Sequence, residues 1–150
     1  MSIEIRRAAS ADADSLVAFN QAMAMETEGK ALNALTLQGG VEAVFKDPNK
    51  GFYVVADDNG KIAAGLMVTF EWSDWRNAWF WWIQSVYVRP EYRGRMLYSK
   101  LYDFVRDIAG ETRNVCGFRL YVERENSKAQ RVYEKTGMDE SHYLMYEAKK

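Results

Sequence analysis

Residues 86–95 combine the residue types that can bind an anion. A strand-like apolar stretch ends at Val88, and Arg93, Gly94 and Arg95 then precede an amphipathic helix. The start of a helix leaves backbone N–H groups without partners and carries partial positive charge. A glycine beside two arginines at such a helix start favours binding of a phosphate or a pyrophosphate. The alternative is an ordinary solvated basic turn between a strand and a helix.

A second segment, residues 126–138, has the pattern of a short helix. Ser127 and Gln130 have the spacing of a capping box, and Asn126 directly precedes them. We therefore expect Ser127 to cap this helix and to leave the Asn126 side chain free for a ligand. Tyr133 lies on the apolar face of the helix, where it could be either a core aromatic or a functional hydroxyl.

Read together, the two segments resemble the signatures of the GNAT superfamily of N-acetyltransferases. The family's C-terminal pattern N-x-x-A-x-x-x-Y-x-x-x-G-F is matched at every fixed position except the last, where Met138 replaces an aromatic residue. The upstream segment matches the V-x-P-x-x-R-G entry into the family's acetyl-CoA loop, at a separation of about 30 residues. The resemblance extends over essentially the whole chain, although the N-terminal half matches by element order only.

The resemblance implies an acyltransferase, and specifically an N-acetyltransferase. It would move acetyl from acetyl-CoA, its co-substrate, to the primary amine of a small molecule or peptide by direct attack. Tyr133 would be the general acid, because a phenol with a pKa of about 10 can protonate a departing thiolate of pKa about 8.5. The implied acetyl-CoA-binding residues are Val86, Tyr87, Val88, Arg93, Gly94, Arg95, Met96, Leu97, Tyr98 and Asn126.

Two departures from the family pattern bear on activity. Met96 and Tyr98 stand where the family's pyrophosphate loop has small residues, so their side chains must point away or widen the loop. Gln84 stands four residues before Val88, where many relatives have a carboxylate, and an amide cannot accept a proton from an ammonium. These residues favour an alternative function, a non-catalytic CoA-binding or protein-interaction module that keeps the fold.

The tryptophans are candidates for an acceptor pocket, because all five lie between residues 72 and 82. Acidic side chains beside aromatic rings suit a cationic amine, through ion pairing and cation–π attraction. Each acid could equally be a solvated surface residue, and Glu123 is a further carboxylate that could reach the cleft. The substrate-binding candidates are Glu26, Glu28, Glu71, Trp72, Asp74, Trp75 and Gln84.

The elements that must position these residues follow the order β-α-α-β-β-β-α-β-α-β. This order predicts an α/β (α+β) protein with a GNAT-like mixed, mostly antiparallel sheet flanked by helices. Ser10 is expected to cap the first helix, and Gly39 and Gly40 to interrupt the second. The expected helices are residues 11–25, 31–46, 94–110 and 127–136, and the expected strands are residues 3–5, 52–56, 61–70, 78–88, 118–122 and 143–146.

Composition limits the possible classes of protein. A chain of 150 residues, 48% of them hydrophobic, predicts one domain over residues 1–150. A net charge of −1 is not typical of a protein that binds nucleic acid or an anionic membrane. A single cysteine excludes an intramolecular disulfide and a multi-cysteine metal site. We expect a cytoplasmic protein without a metal, and pairing of edge strands could make it a homodimer.

Overall fold

A computed structural model describes residues 2–150 as two compact units. The first unit ends at Leu120 and contains a five-stranded sheet, and the second, Tyr121–Lys150, contains one helix. The expected α/β (α+β) class with a mixed, mostly antiparallel sheet is confirmed. A single domain over residues 1–150 remains a prediction.

The sheet of the first unit has the order β1-β2-β3-β4-β5, and only the pairing of β4 with β5 is parallel. The helices of this unit are α1, α2 and α3, with short 3-10 turns before α1 and between β4 and α3. The bounds are β1 Ile3–Arg7, α1 Ala13–Glu28, α2 Ala34–Lys46, β2 Phe52–Asp58, β3 Lys61–Ser73, β4 Ala78–Val88, α3 Leu97–Glu111 and β5 Val115–Arg119, and the second unit contains α4 Ser127–Lys135.

Helices cover the two faces of the sheet. On one face, Leu16 of α1 and Val41 of α2 pack in one buried cluster with Tyr53, Val55 and Tyr87. This face is called the α1–α2 face below. Successive strand residues point to opposite faces. The α3 face therefore carries the alternate residues, and there the ring of Tyr102 contacts that of Phe118 at 5.6 Å.

Local sequence signals explain two of the elements well. Asn59 and Gly60 have φ values of 50° and 94°, as a tight turn requires, and they join the strands predicted over residues 52–56 and 61–70 as a hairpin. The predicted strand over residues 78–88 coincides with β4. Pro90 ends it because proline cannot donate a backbone hydrogen bond to a strand ladder.

Two predicted features of the N-terminal helices are wrong. Ser10 does not cap α1, because it begins the 3-10 turn Ser10–Asp12 and the cap position is Asp12. The Asp12 carboxylate instead accepts the Ala9 N–H and two bonds from Arg6. Helix α2 is continuous through its two glycines, since the cost of about 1 kcal/mol for each glycine can be offset by burial of Val41.

Three predicted strand positions also need correction. β3 continues to Ser73, three residues beyond the predicted strand over residues 61–70. β5 lies at Val115–Arg119 and not at 118–122, because its register is set by pairing with β4, from Trp79↔Val115 to Trp82↔Arg119. Residues 143–146 do not form the predicted last strand. A strand needs a hydrogen-bonded neighbour, and the described residues of the second unit contain no other strand.

Candidate active site

The end of β4 carries an irregularity that re-orients its backbone. The pairing changes from Met67↔Gln84 to Gly65↔Tyr87, so that two residues of β4 lie opposite one of β3. Ser85 within this bulge has a φ of 53°, which is uncommon for a residue other than glycine. Bulges of this kind change the direction of backbone groups and are frequent beside active sites.

Beyond the bulge, the pairing with β3 does not use the backbone groups of Val88. The Arg89 N–H bonds the Ala63 carbonyl at 2.9 Å, so the neighbouring Val88 N–H and C=O point away from β3. β5 pairs with β4 only from Trp79 to Trp82, and within the first unit Val88 has no strand on its outer side. This edge can therefore accept an extended ligand as a further strand.

The loop from β4 to α3 leaves room for an anion despite its bulky residues. Met96 has a φ of 59° and is 72% exposed, so its side chain extends into solvent. Tyr98 is buried, and its ring stacks on that of Tyr102 at 6.0 Å. A Cβ placed at Gly94, where φ is 80°, would contact nothing within 4 Å. Both bulky side chains point away, as the sequence required, and the first N–H groups of α3 are open to a diphosphate.

An ion pair connects this loop to the end of α1. Arg93 Nη2 donates to Glu26 Oε1 at 2.8 Å, and the Tyr87 hydroxyl donates to Glu26 Oε2 at 2.5 Å. The hydroxyl, followed by the Arg93 guanidinium, holds the pKa of Glu26 below its usual range. Burial, followed by the Glu26 carboxylate, raises the pKa of Tyr87. Glu26 is therefore an ionised group that is already bonded to two partners.

A second set of contacts fixes the same loop to the β2–β3 hairpin. The Tyr92 hydroxyl donates to Asp58 at 2.5 Å, which raises the pKa of Tyr92, and Lys61 pairs with Glu91 at 3.0 Å. Arg95 lies 5.1 Å from the centre of the Tyr92 ring. The loop that carries the open N–H groups is thus held from two sides.

The candidate acceptor residues of the hairpin are also bonded. Glu71 accepts the Trp82 indole N–H at 2.9 Å and an Arg119 N–H at 2.8 Å, and these bonds hold its pKa below its usual range. Gln84 donates to the Thr69 hydroxyl at 2.6 Å. These residues lie on the α1–α2 face, because Thr69 and Glu71 alternate with Met67 of its cluster.

The remaining candidates do not join Glu71. Trp72 lies on the α3 face, where its ring meets Trp79 at 4.9 Å. Trp75, which is 89% exposed, and Asp74, which accepts the Trp75 N–H, are in the turn between β3 and β4. Glu28 lies at the end of α1 and pairs loosely with Lys30 at 3.7 Å. A single pocket of Glu71, Trp72, Asp74 and Trp75 is therefore not formed.

The second unit contains the other candidate residues. The Asn126 side-chain oxygen accepts the Ala129 N–H at 3.1 Å, so Asn126 itself caps α4 and the prediction that Ser127 does so is wrong. Gln130 does not complete a capping box, because its side chain donates to the carbonyls of Glu123 and Arg124. Tyr133 is partly buried, and burial raises the pKa of its hydroxyl.

Comparison with known proteins adds a family assignment. The model of the Acetyltransferase (GNAT) family matches residues 17–138. The chain belongs to the GNAT acetyltransferase family. A possible acetyltransferase from Clostridium difficile 630 is 45% identical, with a TM-score of 0.91 and coverage of 99% of this chain and 98% of that one. No curated protein sequence matches the chain.

More distant structures share the GNAT fold. A predicted acetyltransferase from Clostridium acetobutylicum, solved with acetyl-CoA, is 19% identical with a TM-score of 0.80, and the match covers 98% of this chain and 96% of that one. Glucosamine-6-phosphate N-acetyltransferase from Arabidopsis thaliana is 20% identical with a TM-score of 0.73, and 99% of each chain is covered.

Several contacts around this GNAT site were missed from the sequence. Thr69 could have been found, since it alternates with Glu71 on one face of β3. The contacts of Arg119 and Asp58 join residues far apart in the chain and have no local signal. Among residues 2–150, no group of three or more histidine, cysteine or acidic side chains could hold a metal, and no helix is long and apolar enough to cross a membrane.

Proposed function

We propose that the protein is an N-acetyltransferase that moves acetyl from acetyl-CoA to a primary amine of a small molecule or peptide. The amine nitrogen attacks the thioester carbonyl carbon directly, and a C–N bond forms as the C–S bond breaks. The observation that carries this proposal is the β4 edge at Val88, which no strand of the first unit covers, followed by the N-terminus of α3, where Met96 and Tyr98 leave room for a diphosphate.

The donor would be held mainly by backbone groups. Val86 and Val88 would pair with the pantetheine arm as a strand pairs with its neighbour, and the N–H groups from Arg93 to Tyr98 would receive the pyrophosphate. Since the oxygen of Asn126 is used as the cap, only its Nδ2 group remains to donate to a pantetheine carbonyl. These assignments rest on the family resemblance and on the geometry of each unit taken separately.

Tyr133 would act as the general acid. Burial raises the pKa of its hydroxyl, which keeps the proton on the phenol at neutral pH until a thiolate leaves. The base would be an acidic residue still to be identified. Glu26, Glu28 and Glu71 are all in ion pairs, and Asp74 and Glu123 are the other candidate carboxylates. The proton of the ammonium would pass to water or to a carboxylate that substrate binding releases from its ion pair.

The proposal that the acceptor is an amine rests on the family in general. Two structures with the same fold are named for amine acceptors, a sugar phosphate and the alanine of a ribosomal protein. Glu26, Glu28, Glu71, Trp72, Asp74, Trp75 and Gln84 remain the proposed substrate-binding residues, but as separate groups and not as one pocket. We also propose a cytoplasmic, single-domain protein that can form a homodimer.

One observation favours the alternative, a non-catalytic CoA-binding or protein-interaction module. Gln84 occupies the position of the family's carboxylate and is fixed by its bond to Thr69. A chain without a base could keep donor binding and lose turnover.

The test measures binding first and turnover second. Calorimetric titration should show binding of CoA and acetyl-CoA, and a thiol-release assay across polyamines, amino acids, aminoglycosides and peptide N-termini should detect an acceptor. No binding at millimolar ligand would refute the enzyme. Binding with no thiol release above background would instead favour the module.

A variant tests the role of Tyr133. Tyr133→Phe should lower kcat by about 10² or more and leave CoA affinity nearly unchanged, because only the proton donor is removed. Thr136→Val, which removes a nearby hydroxyl of the same unit, is the control. An unchanged kcat in Tyr133→Phe would remove this residue from the mechanism.

A further inference from the structure

The Arg93 side chain lies across the end of β4 and holds two groups at once. Its Nε donates to the Val88 carbonyl at 3.0 Å, and its Nη2 donates to Glu26 Oε1 at 2.8 Å. The guanidinium also lies 5.5 Å from the centre of the Tyr87 ring. One cation therefore bonds the Val88 carbonyl, which the pairing with β3 leaves unused, and neutralises the carboxylate at the end of α1.

Acetyl-CoA would require both the carbonyl and the cation. The Val88 carbonyl faces the edge at which the pantetheine arm would pair, and Arg93 Nε already bonds it, so the arm must share this oxygen with the guanidinium or displace it. Arg93 is also the first residue of the segment whose N–H groups would receive the diphosphate. Arginine bonds phosphate in a planar, charge-assisted geometry, and a diphosphate carries more negative charge than the single carboxylate of Glu26.

The ion pair is weak enough to be exchanged. The Arg93 and Glu26 side chains are 44% and 41% exposed, and a solvent-exposed pair contributes little to stability. The Tyr87 hydroxyl gives Glu26 a second partner that it keeps if the guanidinium leaves. The Arg93 side chain can therefore change partners without leaving a buried group unpaired.

We propose that Arg93 is a latch that is closed on Val88 and Glu26 in the free protein and that acetyl-CoA binding opens it, as the guanidinium transfers to the diphosphate. This inference rests on the proposed function. Once the latch is open, Glu26 retains only the Tyr87 hydroxyl, and the end of α1 gains an unneutralised negative charge. That charge attracts an acceptor in its ammonium form.

The direction in which CoA affinity changes in Glu26→Gln distinguishes the latch from a purely structural role of Glu26. If Glu26 competes with the diphosphate for Arg93, then Glu26→Gln removes the competitor and tightens CoA binding. If Glu26 instead held the loop in its binding conformation, the same change would weaken CoA binding. Glutamine still accepts the Tyr87 hydroxyl, so the variant keeps the neutral contact.

Calorimetric titration with CoA at low ionic strength tests the latch in the full chain. Relative to the wild type, Glu26→Gln should lower the Kd about two- to fivefold, in the range expected for one exposed ion pair. Arg93→Gln should raise the Kd about fivefold or more. In the Arg93→Gln background, Glu26→Gln should have no effect, because the competition no longer exists. Glu111→Gln, which removes the same charge at the exposed far end of α3, is the matched control.

The outcomes separate the latch from the proposed function. Absence of CoA binding by the wild type at millimolar concentration would overturn both. Binding by the wild type that is unchanged or weakened in Glu26→Gln would overturn the latch alone.

Hydrogen exchange of the wild type adds a readout that needs no variant. CoA should slow exchange of the amides of residues 94–98, since these receive the diphosphate, and accelerate exchange at residues 26–29, where the contact with Arg93 is lost. Slower or unchanged exchange at residues 26–29, with CoA bound, would contradict opening of the latch.

Discussion

The two faces of the β3–β4 hairpin differ in chemistry although they share the same two strands. On the α1–α2 face, Glu71 bonds Trp82 and Arg119, and Gln84 bonds Thr69. On the α3 face, aromatic rings contact one another along the same length of hairpin, with Trp81 buried and Trp72 and Trp79 about half exposed. The rings in this second set are Phe52, Phe70, Trp72, Trp79 and Trp81.

The difference indicates that one face carries side chains able to meet a polar substrate and the other stabilises the hairpin. Directional bonds on the α1–α2 face fix the orientation of a few polar groups. Ring contacts on the α3 face bury apolar area and add about 0.5–1.5 kcal/mol per aromatic pair. Substitutions on the α3 face should therefore affect stability, and those on the α1–α2 face should affect catalysis or its pH dependence.

The largest expected effect is on the α3 face. Trp81→Ala should lower the free energy of unfolding by about 3–5 kcal/mol, because Trp81 is 4% exposed and contacts Phe52 and Phe70. Denaturant unfolding followed by circular dichroism measures it. Trp75→Ala, at an 89% exposed position, is the control and should change stability by about 0.5 kcal/mol or less. Equal losses in the two variants would contradict a stabilising role for the ring cluster.

A smaller effect is expected at Gln84 on the α1–α2 face. Gln84→Glu places a carboxylate where the family pattern has one, and Thr69 can then donate its hydroxyl to it. We expect kcat/KM for acetyl transfer to rise about tenfold, since a positioned base assists deprotonation of the amine. Steady-state thiol release gives the value, with Trp79→Phe on the other face as the unaffected control. An unchanged kcat/KM in Gln84→Glu would mean that the α1–α2 face takes no part in deprotonation of the amine.

The smallest expected effect is on the pH dependence of stability. The Trp82 N–H, followed by Arg119, holds the pKa of Glu71 below its usual range, so the ionised form stabilises the folded state above the unfolded pKa of about 4.3. This contribution is lost as pH falls through the lower folded pKa. Glu71→Gln should therefore be less stable than wild type at pH 7 by about 0.5 kcal/mol, a value reduced for solvent exposure.

Thermal and denaturant unfolding between pH 7 and pH 3 would measure this difference. The two stability curves should converge at the acid end, while Glu28→Gln should follow wild type closely across the range. A difference between wild type and Glu71→Gln that stayed constant with pH would mean that the charge of Glu71 has no part in it.

Much of the fold could be predicted because its signals are local. The β2–β3 turn depends on Asn59 and Gly60, whose backbone preferences are intrinsic, and β4 ends where Pro90 removes a donor. The position of β5 could not be predicted in the same way. Its register depends on pairing with β4 across a long connection through α3, which no local pattern encodes.

The candidate site also has parts with local sequence signals and parts without them. The segments around Arg93 and Tyr133 have recognisable spacing and could be located from the sequence. The separation of Glu71 from Trp72 could not, because the strand was expected to end at residue 70, whereas β3 continues to Ser73 and places neighbours on opposite faces. The sequence also could not decide whether Asn126 or Ser127 caps α4, because asparagine and serine are about equally favoured at the N-cap position.

The sheet topology also has a consequence for how the chain folds. β2, β3 and β4 follow one another as neighbouring antiparallel strands, so their contacts close short loops and lose little chain entropy. β1 and β5 reach the sheet only across intervening helices, which makes their contacts non-local. We therefore expect the three-strand meander to form first during folding. A change in the turn at Asn59 would slow refolding, whereas a change in β5 would mainly accelerate unfolding.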